Sequence, residues 1–544
     1  MAYWQVRAQF DRSYIEDFLN ESRWSLLSPE HKKSKVFENI INSIELNDIL
    51  FLVDENQKIS YYARCTANEQ NGVNIHVLQW DKLKNEVTAL TSGSYMRTVT
   101  NIKNSDKVDE LLEAITEPKT AYKIDNINID NFRLIESLHI DFDKSINVII
   151  ANNGIGKTTI LDAISICYGA MLTRFPNIKG IDFKKVDLQV TRDAKSKPYM
   201  KIKIQTSQNI VWDRTSKRDS SKKTAKLVPS SYGLRELNNF VDSIVDMENE
   251  DKPYIMPLVM YYGTCRNCFE SPIRKTKFKK EFNRFESLSA SLESSTNFSR
   301  LFQWFHAMEI IELKEQKAKE DFKHKNRYLE TVRKAIESMI PNFTNPRIEM
   351  NPLRFMIDKK EQDNSVTQLQ IEQLSAGYKA VLAMTMDISA RMVEGNPTLG
   401  NNSEAIILID ELDLHLHPTW QQTILIDLRR TFPNAQFIVT THSPHIIGSV
   451  ESKYIKILEK QDDNIKIIDG AVTYGRDMKW ILQQMGLDSV RPVLIKEKFE
   501  NCQTLLNDAK YDEAEVAISE LEDIIKQDDR ELMNLRNTLF FERD

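Results

Sequence analysis

Apolar and polar residues follow two periods along this chain, and the change of period divides it into units. Over residues 1–115, short runs rich in β-branched and aromatic residues alternate with polar turns, which predicts a small β-rich domain. Helical spacing interrupts these runs near 12–20 and 34–44. A polar stretch over 101–120 then predicts a linker with one short helix.

Continuous apolar runs, the pattern of strands buried on both faces, recur farther along the chain. They lie at 146–150, 405–409 and 436–440. Helical spacing fills much of the chain between them, including an insertion at about 281–350. Strands that alternate with helices indicate an α/β fold. We therefore expect a second domain over 120–490.

The last segment, 491–544, has the spacing of two amphipathic helices. Small and apolar residues such as Ala514 and Leu521 suggest a helix pair like a tetratricopeptide unit. The other face of the segment carries many acids, including Glu513 and Glu520. That face is either solvated or a docking surface, and the sequence leaves both interpretations open.

Composition restricts the class of protein. The 544 residues are 41% hydrophobic and 28% charged, which fits a soluble globular chain of two to four domains. With a net charge of −6, any nucleic-acid surface has to be local. Two basic stretches, 214–226 and 274–284, are candidates for such a surface, with solvated loops as the alternative. No apolar run approaches the ~20 residues of a membrane helix, and no signal-peptide pattern is present, so we expect a cytoplasmic protein without a membrane segment.

The five cysteines are too few, and odd in number, for a disulfide framework. Cys265 and Cys268 form a C-x-x-C pair. A zinc site needs two further ligands at a suitable spacing, and the neighbouring sequence supplies none. Two ordinary thiols are the simpler interpretation.

The most specific chemistry lies between the apolar run at 146–150 and the helical pattern after it. A Gly-rich loop in that place can wrap a polyphosphate with backbone N–H groups, and the helix N-terminus adds positive charge. Lys157 can reach the β and γ oxygens, while the Thr158 hydroxyl can hold Mg²⁺. Ala151 replaces the usual first glycine of such a loop. The predicted residues for binding ATP or GTP are Asn152, Asn153, Gly154, Ile155, Gly156, Lys157, Thr158 and Thr159.

Two further strands end in reactive side chains. Asp410 and Glu411 follow the second apolar run, so that Asp410 can face the metal ion and Glu411 can act as a base toward an attacking water. His442 follows the third run and can sense the γ-phosphate by hydrogen bonding. The sequence thus predicts Glu411 and His442 as catalytic residues, and Thr158 and Asp410 as metal ligands.

A short motif at 374–378, Leu-Ser-Ala-Gly-Tyr, stands before a helical pattern over 379–391. The Ser375 hydroxyl and the N–H groups of this helix start are suited to bind an anion. A Ser-x-Gly motif alone is weak. Its position between the phosphate loop and the acid strand makes it specific.

The order of phosphate loop, Ser-x-Gly motif, acid strand and histidine strand resembles the ABC-type ATPase heads of the SMC, Rad50, RecF and OLD proteins. In that resemblance, Ser375 and Gly377 belong to a signature motif that binds the γ-phosphate held by another subunit, which implies a homodimer or higher oligomer. Asn-Phe-Arg at 131–133 resembles the opening of such heads, in which Arg133 would lie near the phosphates. The implied cofactors are ATP and Mg²⁺.

A narrower resemblance is to the PtuA-type ATPases of Septu and retron antiphage systems. It covers about residues 120–544 and is carried by 261–266, 410–418 and 441–444. The resemblance implies an ATPase that regulates a separate, PtuB-like HNH nuclease, and in retrons a reverse transcriptase with its single-stranded DNA. OLD nucleases carry a metal-binding domain after the histidine strand, whereas about 100 residues follow His442 here. We therefore expect the nuclease in a partner.

The N-terminal unit resembles the EVE domains of the PUA-like class, which hold modified bases or nucleic-acid ends in an aromatic pocket. The resemblance rests on 3–6, Trp24 and 93–98. The alternative is that Trp4, Trp24 and Trp80 are core residues.

Three other functions stay open at this point. A RecF- or Rad50-like DNA-repair ATPase would show DNA-stimulated turnover. A pure binding module would use the front domain for recognition and the head only for pairing. A subunit of an ABC transporter would need a membrane-coupling segment, and none is evident.

Overall fold

The computed structural model describes the chain from residue 2 to 543 apart from a set of positions. These are 9–12, 22, 30, 46–47, 78–79, 91–97, 104, 115–122, 153, 192, 251, 253, 265–281, 294–298, 351, 362, 462–463, 470–472, 477–479, 483–490 and 527–528. Asn153, the pair Cys265 and Cys268, and most of the basic stretch 274–284 therefore lie outside the described residues.

The N-terminal unit consists of one mixed sheet with three helices. Its elements are β1 (Tyr3–Arg7), α1 (Ile15–Glu21), β2 (Arg23–Ser25), α2 (Lys35–Asn42), β3 (Ile49–Val53), β4 (Lys58–Asn68), β5 (Asn74–Val77), β6 (Asp81–Thr88), β7 (Val99–Asn101) and α3 (Ser105–Ala114). The strand order is β2-β5-β4-β3-β1-β7, and β6 pairs with β4. Helices α1 and α2 lie where helical spacing predicts them, and α3 is the short helix expected in the linker.

The three tryptophans of this unit are core residues. Trp4, Trp24 and Trp80 are each at most 8% exposed. The indole N–H of Trp4 donates to Asp48 Oδ2 at 2.8 Å, and that of Trp24 donates to the Arg7 carbonyl at 3.0 Å. Buried aromatic rings with satisfied N–H groups pack the interior. This is the alternative interpretation of their role, and the likeness of this unit to EVE domains stays a prediction.

A larger unit follows, built on two sheets and a helical hairpin. Its first part contains β8 (Ile124–Phe132), β9 (Ile135–Asp141), β10 (Ile146–Ala151), α4 (Lys157–Arg174), β11 (Tyr199–Thr206), β12 (Val211–Lys217), α5 (Lys222–Leu227), α6 (Arg235–Asn249) and β13 (Leu258–Tyr262). The hairpin region contains α7 (Ser299–Lys319), α8 (Arg327–Met339), β14 (Phe343–Met350), β15 (Leu353–Lys360) and β16 (Val366–Gln370). The last part contains α9 (Ala376–Gly395), β17 (Ala405–Ile409), α10 (Pro418–Gln421), α11 (Ile424–Thr431), β18 (Ala435–Thr440), α12 (Pro444–Gly448), β19 (Ile455–Gln461) and β20 (Asn464–Asp469).

The central sheet of this unit has the order β13-β17-β18-β10-β19-β20. The first five strands run parallel and β20 closes the edge antiparallel to β19. Every residue of β10, β17 and β18 is buried, as their continuous apolar runs predict. The carboxyl ends of parallel strands meet at one edge of a sheet, which is where ligands of α/β folds bind. The phosphate loop, Asp410 and His442 all follow these ends.

Two smaller sheets flank the central one. The antiparallel sheet β12-β11-β8-β9 carries Arg133 in the turn between β8 and β9, and the sheet β14-β15-β16 follows the hairpin of α7 and α8. The helical part of the insertion therefore ends at Met339, earlier than predicted, because the chain continues in antiparallel strands from Phe343.

The C-terminal segment contains three helices instead of the two that the spacing predicts. They are α13 (Val493–Asn507), α14 (Tyr511–Ile525) and α15 (Arg530–Arg543). The helices share a small core of their own, which consists of Cys502, Leu506, Ala514, Ile518, Leu521, Leu532, Leu535 and Leu539. Within the described part of the chain, none of the helices has the length and apolar character needed to cross a membrane.

Glu309, a half-buried acid on α7, makes the stability of the larger unit dependent on pH. The Glu309 carboxylate accepts the Ile348 N–H at 3.1 Å, but burial raises the pKa of Glu309 from 4.5 to about 7. Because the folded state holds this proton more tightly than the unfolded state does, stability is lost as pH rises from 4.5 through 7. A shift of this size corresponds to about 3 kcal/mol.

We therefore expect Glu309→Gln to raise the free energy of unfolding at pH 8 by about 1–3 kcal/mol and to have little effect at pH 4.5. Urea unfolding at both pH values measures the change. Glu337→Gln, the same substitution on an exposed residue of α8, is the control. An equal effect of Glu309→Gln at the two pH values would contradict the raised pKa of Glu309.

Candidate active site

The phosphate loop connects β10 to α4 through two glycines in left-handed conformation. Gly154 has φ +77° and Gly156 has φ +110°, a region that residues with a Cβ rarely adopt. Ala151 is the last residue of β10, so the residue that replaces the usual first glycine lies in an ordinary strand. Asn152 and Gly154 are exposed, which leaves the loop open to a ligand.

Lys157 is held over this loop by the loop's own backbone. Its Nζ donates to the Ala151 carbonyl at 2.9 Å and to the Asn152 carbonyl at 3.4 Å. Burial lowers the pKa of Lys157, while the carboxylates of Asp410 and Glu411 oppose that shift. An ammonium group that lies in a loop of this shape is suited to bind a phosphate. Of the two residues that follow it, Thr158 is exposed and Thr159 is buried.

Asp410 is fixed by two hydroxyl groups from different elements. Thr158 Oγ1 donates to Asp410 Oδ2 at 2.8 Å, and Thr440 Oγ1 donates to Asp410 Oδ1 at 2.6 Å. Asp410 is 3% exposed. A carboxylate and a hydroxyl that lie together supply the hard oxygen ligands that Mg²⁺ prefers. The two residues predicted as metal ligands are thus brought into contact, and they fit that ion.

Glu411 leaves the end of β17 in a left-handed conformation with φ +46°, which is uncommon for a residue with a Cβ. Its backbone N–H donates to Thr440 Oγ1 at 2.7 Å. Unusual dihedrals that the surrounding contacts hold in place are frequent at functional sites. Thr440 therefore holds both acids. The sequence did not predict this role, because a threonine at a strand end has no distinctive spacing.

Asp413 holds the backbone at His442 and the side chain of Thr441. Asp413 Oδ1 accepts the Thr441 hydroxyl at 2.5 Å and the His442 backbone N–H at 3.2 Å. Burial and, next, the charge of Lys157 lower the pKa of His442 below 6.5, although Asp413 and Glu411 act in the opposite direction. The imidazole is therefore neutral at pH 7 and can donate one hydrogen bond.

Arg133 is paired with two carboxylates. Its Nη1 contacts Asp162 Oδ2 of α4 at 2.5 Å, and its Nε contacts Asp187 Oδ1 at 2.9 Å. These pairs hold the β8–β9 turn against the phosphate-loop helix. A direct contact of Arg133 with phosphate stays a prediction.

The signature motif lies at the N-terminus of α9. Ser375 is the N-cap residue, yet its exposed hydroxyl makes no capping hydrogen bond. Gly377 is buried against the turn after the acid strand, where an added Cβ would come within 2.4 Å of the His415 carbonyl. The Tyr378 ring packs edge-on against Trp420 at 4.4 Å. Among the described residues, no hydrogen bond joins Ser375 to the phosphate loop.

Thr440 offers a test of how the acids are held. We expect Thr440→Val, which has nearly the same shape, to lower the rate of ATP hydrolysis about ten- to hundredfold, because two hydrogen bonds to the acid strand are lost. Steady-state hydrolysis across a range of magnesium concentrations measures the effect. Thr440→Ser keeps the hydroxyl and should restore most of the rate. Equal losses in both variants would mean that packing of the methyl group, not the hydroxyl, matters.

Comparison with known proteins finds matches over most of the chain. Residues 126–337 match a family model described as an AAA domain, and residues 263–448 match one described as "AAA domain, putative AbiEii toxin, Type IV TA system". The chain is 29% identical to the retron Ec83 probable ATPase of Escherichia coli, over 68% of this chain and 77% of that protein. It is 26% identical to the Septu protein PtuA of Bacillus thuringiensis, over 72% of this chain and 92% of that one.

Among solved structures, the SMC head domain from Thermotoga maritima is similar at 13% identity, with a TM-score of 0.36 and coverage of 64% of this chain and all of that one. The phosphate loop, the acid strand and these relatives together show that the chain is a P-loop ATPase, and it is similar over most of its length to the retron and Septu ATPases.

Proposed function

We propose that two copies of this chain close around ATP, so that each phosphate loop meets the signature motif of the other copy. The observation that carries this proposal is the exposed Ser375 hydroxyl at the start of a 20-residue helix, where it caps nothing in its own chain. Backbone N–H groups at a helix start attract anions. A γ-phosphate presented by a second copy fits that place, and higher oligomers could be built from the same contact.

In this proposal each residue of the loop and the acid strand has a defined role. Lys157 binds phosphate oxygens, while Thr158 and Asp410 hold Mg²⁺. When bound, Mg²⁺ offsets the charge of the phosphate oxygens. Glu411 takes a proton from the attacking water, and neutral His442 donates a hydrogen bond to the γ-phosphate. The negative charge of ATP between two positive surfaces keeps the pair closed until hydrolysis weakens it.

The dimer is tested by Ser375→Arg. We expect this variant to bind ATP with unchanged affinity as a single chain but to lose ATP-dependent dimer formation, because the larger side chain fills the place of the γ-phosphate. Light scattering with and without ATP, in a Glu411→Gln background that prevents turnover, measures the change. Ser365→Arg, at another exposed serine, is the control. Loss of nucleotide binding in Ser375→Arg would contradict a site shared between chains.

We further propose that this ATPase regulates a separate, PtuB-like HNH nuclease in the bacterial cytoplasm, as part of a Septu or retron antiphage system. The similarity to ATPases named for retron and Septu systems supports this role. In a retron, a reverse transcriptase and its single-stranded DNA would join the complex. The proposal predicts an HNH protein encoded beside this chain, and co-purification of the two and an ATP-dependent change in the activity of that nuclease test it. A nuclease indifferent to Glu411→Gln would contradict it.

A second function, DNA repair of the RecF or Rad50 kind, is favoured by one surface. In the basic stretch 214–226, Arg214 is structural, because it donates to the Ile166 and Ile181 carbonyls. Four exposed lysines of the stretch form no ion pair among the described residues, namely Lys217, Lys222, Lys223 and Lys226. Such a surface can contact nucleic-acid phosphates, and the salt dependence of binding counts those contacts. DNA-stimulated turnover without any effect on a nuclease would favour repair.

A further inference from the structure

Tyr262 connects Asp410, at the end of β17, to helix α9, which begins after Ser375 in the same chain. Tyr262 is the last residue of β13 and is 1% exposed. Its carbonyl accepts the Asp410 N–H at 2.9 Å. Its hydroxyl donates to Asp387 Oδ2 of α9 at 2.8 Å. The two ends of this residue therefore hold the metal-binding acid and the helix that begins at Ser375.

Asp387 is held from its other side as well. Arg391 Nε donates to the same Oδ2 at 2.8 Å, and Arg391 Nη1 donates to the carbonyls of Ser287 and Ser289 at 2.7 and 3.0 Å. Asp387 and Arg391 are 3% and 4% exposed. Hydrogen bonds between charged groups are strong in such surroundings. Helix α9 is thus fixed to β13 at a point about three turns from its N-terminus.

The connection continues from β13 into the site. Strand β13 is the edge strand of the central sheet and pairs with β17, with Tyr262 opposite Ile409. Asp410 is the next residue after Ile409. A shift of α9 along its axis would therefore reach the backbone that carries Asp410 through Asp387 and the Tyr262 hydroxyl. Energetic coupling between sites is carried by such networks of packed side chains, hydrogen bonds and rigid secondary elements.

We propose that Tyr262 is a positioning residue that makes the two composite ATP sites of a dimer depend on each other. This inference rests on the proposed dimer, in which Ser375 serves the partner's ATP while Asp410 serves the chain's own. Closure of one signature on a γ-phosphate aligns the acid strand of the same chain at the other site. Tyr262 is 1% exposed and therefore acts through Asp387 and Asp410, not by direct contact with ATP.

The test compares dimers with two competent sites and dimers with one. In the one-site dimer, one chain is unchanged and the other carries Lys157→Ala, so the signature motif of the unchanged chain has no γ-phosphate to close on. We expect the turnover of this dimer at saturating ATP to be about tenfold below half of the wild-type value, because the acid strand of its working chain is not aligned. Tyr262→Phe in both chains, which removes only the hydroxyl, should lower kcat of the two-site dimer about tenfold with KM unchanged and should leave the one-site dimer as it was.

Each outcome has one meaning. A two-site to one-site turnover ratio far above two, which Tyr262→Phe brings back to two, supports the coupling. A ratio of two without the Tyr262 substitution, or equal losses from Tyr262→Phe in both dimers, would overturn it and leave Tyr262 as a local support. A wild-type chain that forms no dimer with ATP would count against the shared site itself, not against Tyr262.

Tyr168→Phe is the matched control for folding. Tyr168 is also fully buried, but its hydroxyl has no hydrogen-bond partner among the described residues. The substitution makes the same chemical change without removing a hydrogen bond, so kcat and KM of both the two-site and the one-site dimer should stay unchanged. Equal losses from Tyr168→Phe and Tyr262→Phe would overturn a specific role for the Tyr262 hydroxyl.

Discussion

Replacement of Glu411 by Gln is expected to slow ATP hydrolysis by about 10²–10⁴-fold and to leave ATP binding unchanged. Glu411 follows the buried strand β17, and its backbone N–H is fixed by Thr440 Oγ1 at 2.7 Å. Its φ is +46°, an uncommon value for a residue with a Cβ. The preceding residue, Asp410, accepts hydrogen bonds from two hydroxyl groups. Gln keeps the size of the side chain but cannot take a proton from water. We therefore expect only the chemical step of ATP hydrolysis to be slower.

Single-turnover hydrolysis and equilibrium binding of a fluorescent ATP analogue separate the two effects. Glu404→Gln makes the same change just before the first residue of β17, at the opposite end of the strand, and should leave both quantities unchanged. A Glu411→Gln chain that hydrolyses ATP within about threefold of the wild-type rate would assign the base to another group. Weaker binding with an unchanged rate of the chemical step would give Glu411 a structural role instead.

The strands that carry this chemistry could be predicted because burial on both faces has a visible pattern. The runs at 146–150, 405–409 and 436–440 are apolar except for Asn147, Gln436 and Thr440, and each lies within one strand of the central sheet. The polar residues directly after them then fall at one edge of that sheet. The phosphate loop and the acids Asp410 and Glu411 could be located in this way.

The supports of these residues could not be predicted, because they depend on contacts between distant parts of the chain. Thr440 and Asp413 are single polar residues without any period, and their partners become neighbours only when the parallel strands align. Arg133 has two carboxylate partners, Asp162 and Asp187, that the sequence does not mark. Local spacing predicts elements, whereas side-chain pairs across elements follow from the packed fold.

The same limit explains the differences in the flanking units. Residues 343–350 were expected in the helical insertion, but they form a strand that pairs with β15. Three buried tryptophans satisfy their N–H groups within or near the sheet, as Trp24 does with the Arg7 carbonyl, so their number in a short unit gives no information about a ligand. Tertiary pairing overrides local preference in both places.

Two inactive variants are expected to restore hydrolysis when they are mixed. Lys157→Ala removes the ammonium group that lies over the phosphate loop, bonded to the Ala151 carbonyl at 2.9 Å, and Ser375→Arg blocks the exposed start of α9. Each homodimer then lacks one half of both sites. A mixed dimer combines an intact phosphate loop from one chain with an intact signature motif from the other, so one of its two sites is complete. Random pairing of equal amounts completes about a quarter of all sites, so turnover should recover to at most about a quarter of the wild-type value, and to less where a site depends on ATP at its neighbour.

Recovery depends on which elements are combined, and this makes the prediction specific. Chains that carry both substitutions together, mixed with an equal amount of wild type, should leave complete sites only in the wild-type homodimers, which are about a quarter of all dimers. Lys157→Ala mixed with Glu411→Gln should stay inactive, because the proposed site draws the phosphate loop and the base from the same chain. Turnover is measured after the two chains have exchanged partners. Full inactivity of the first mixture, with mixed dimers demonstrated by differently tagged chains, would contradict a site shared between chains, and Ser375 would then need another role.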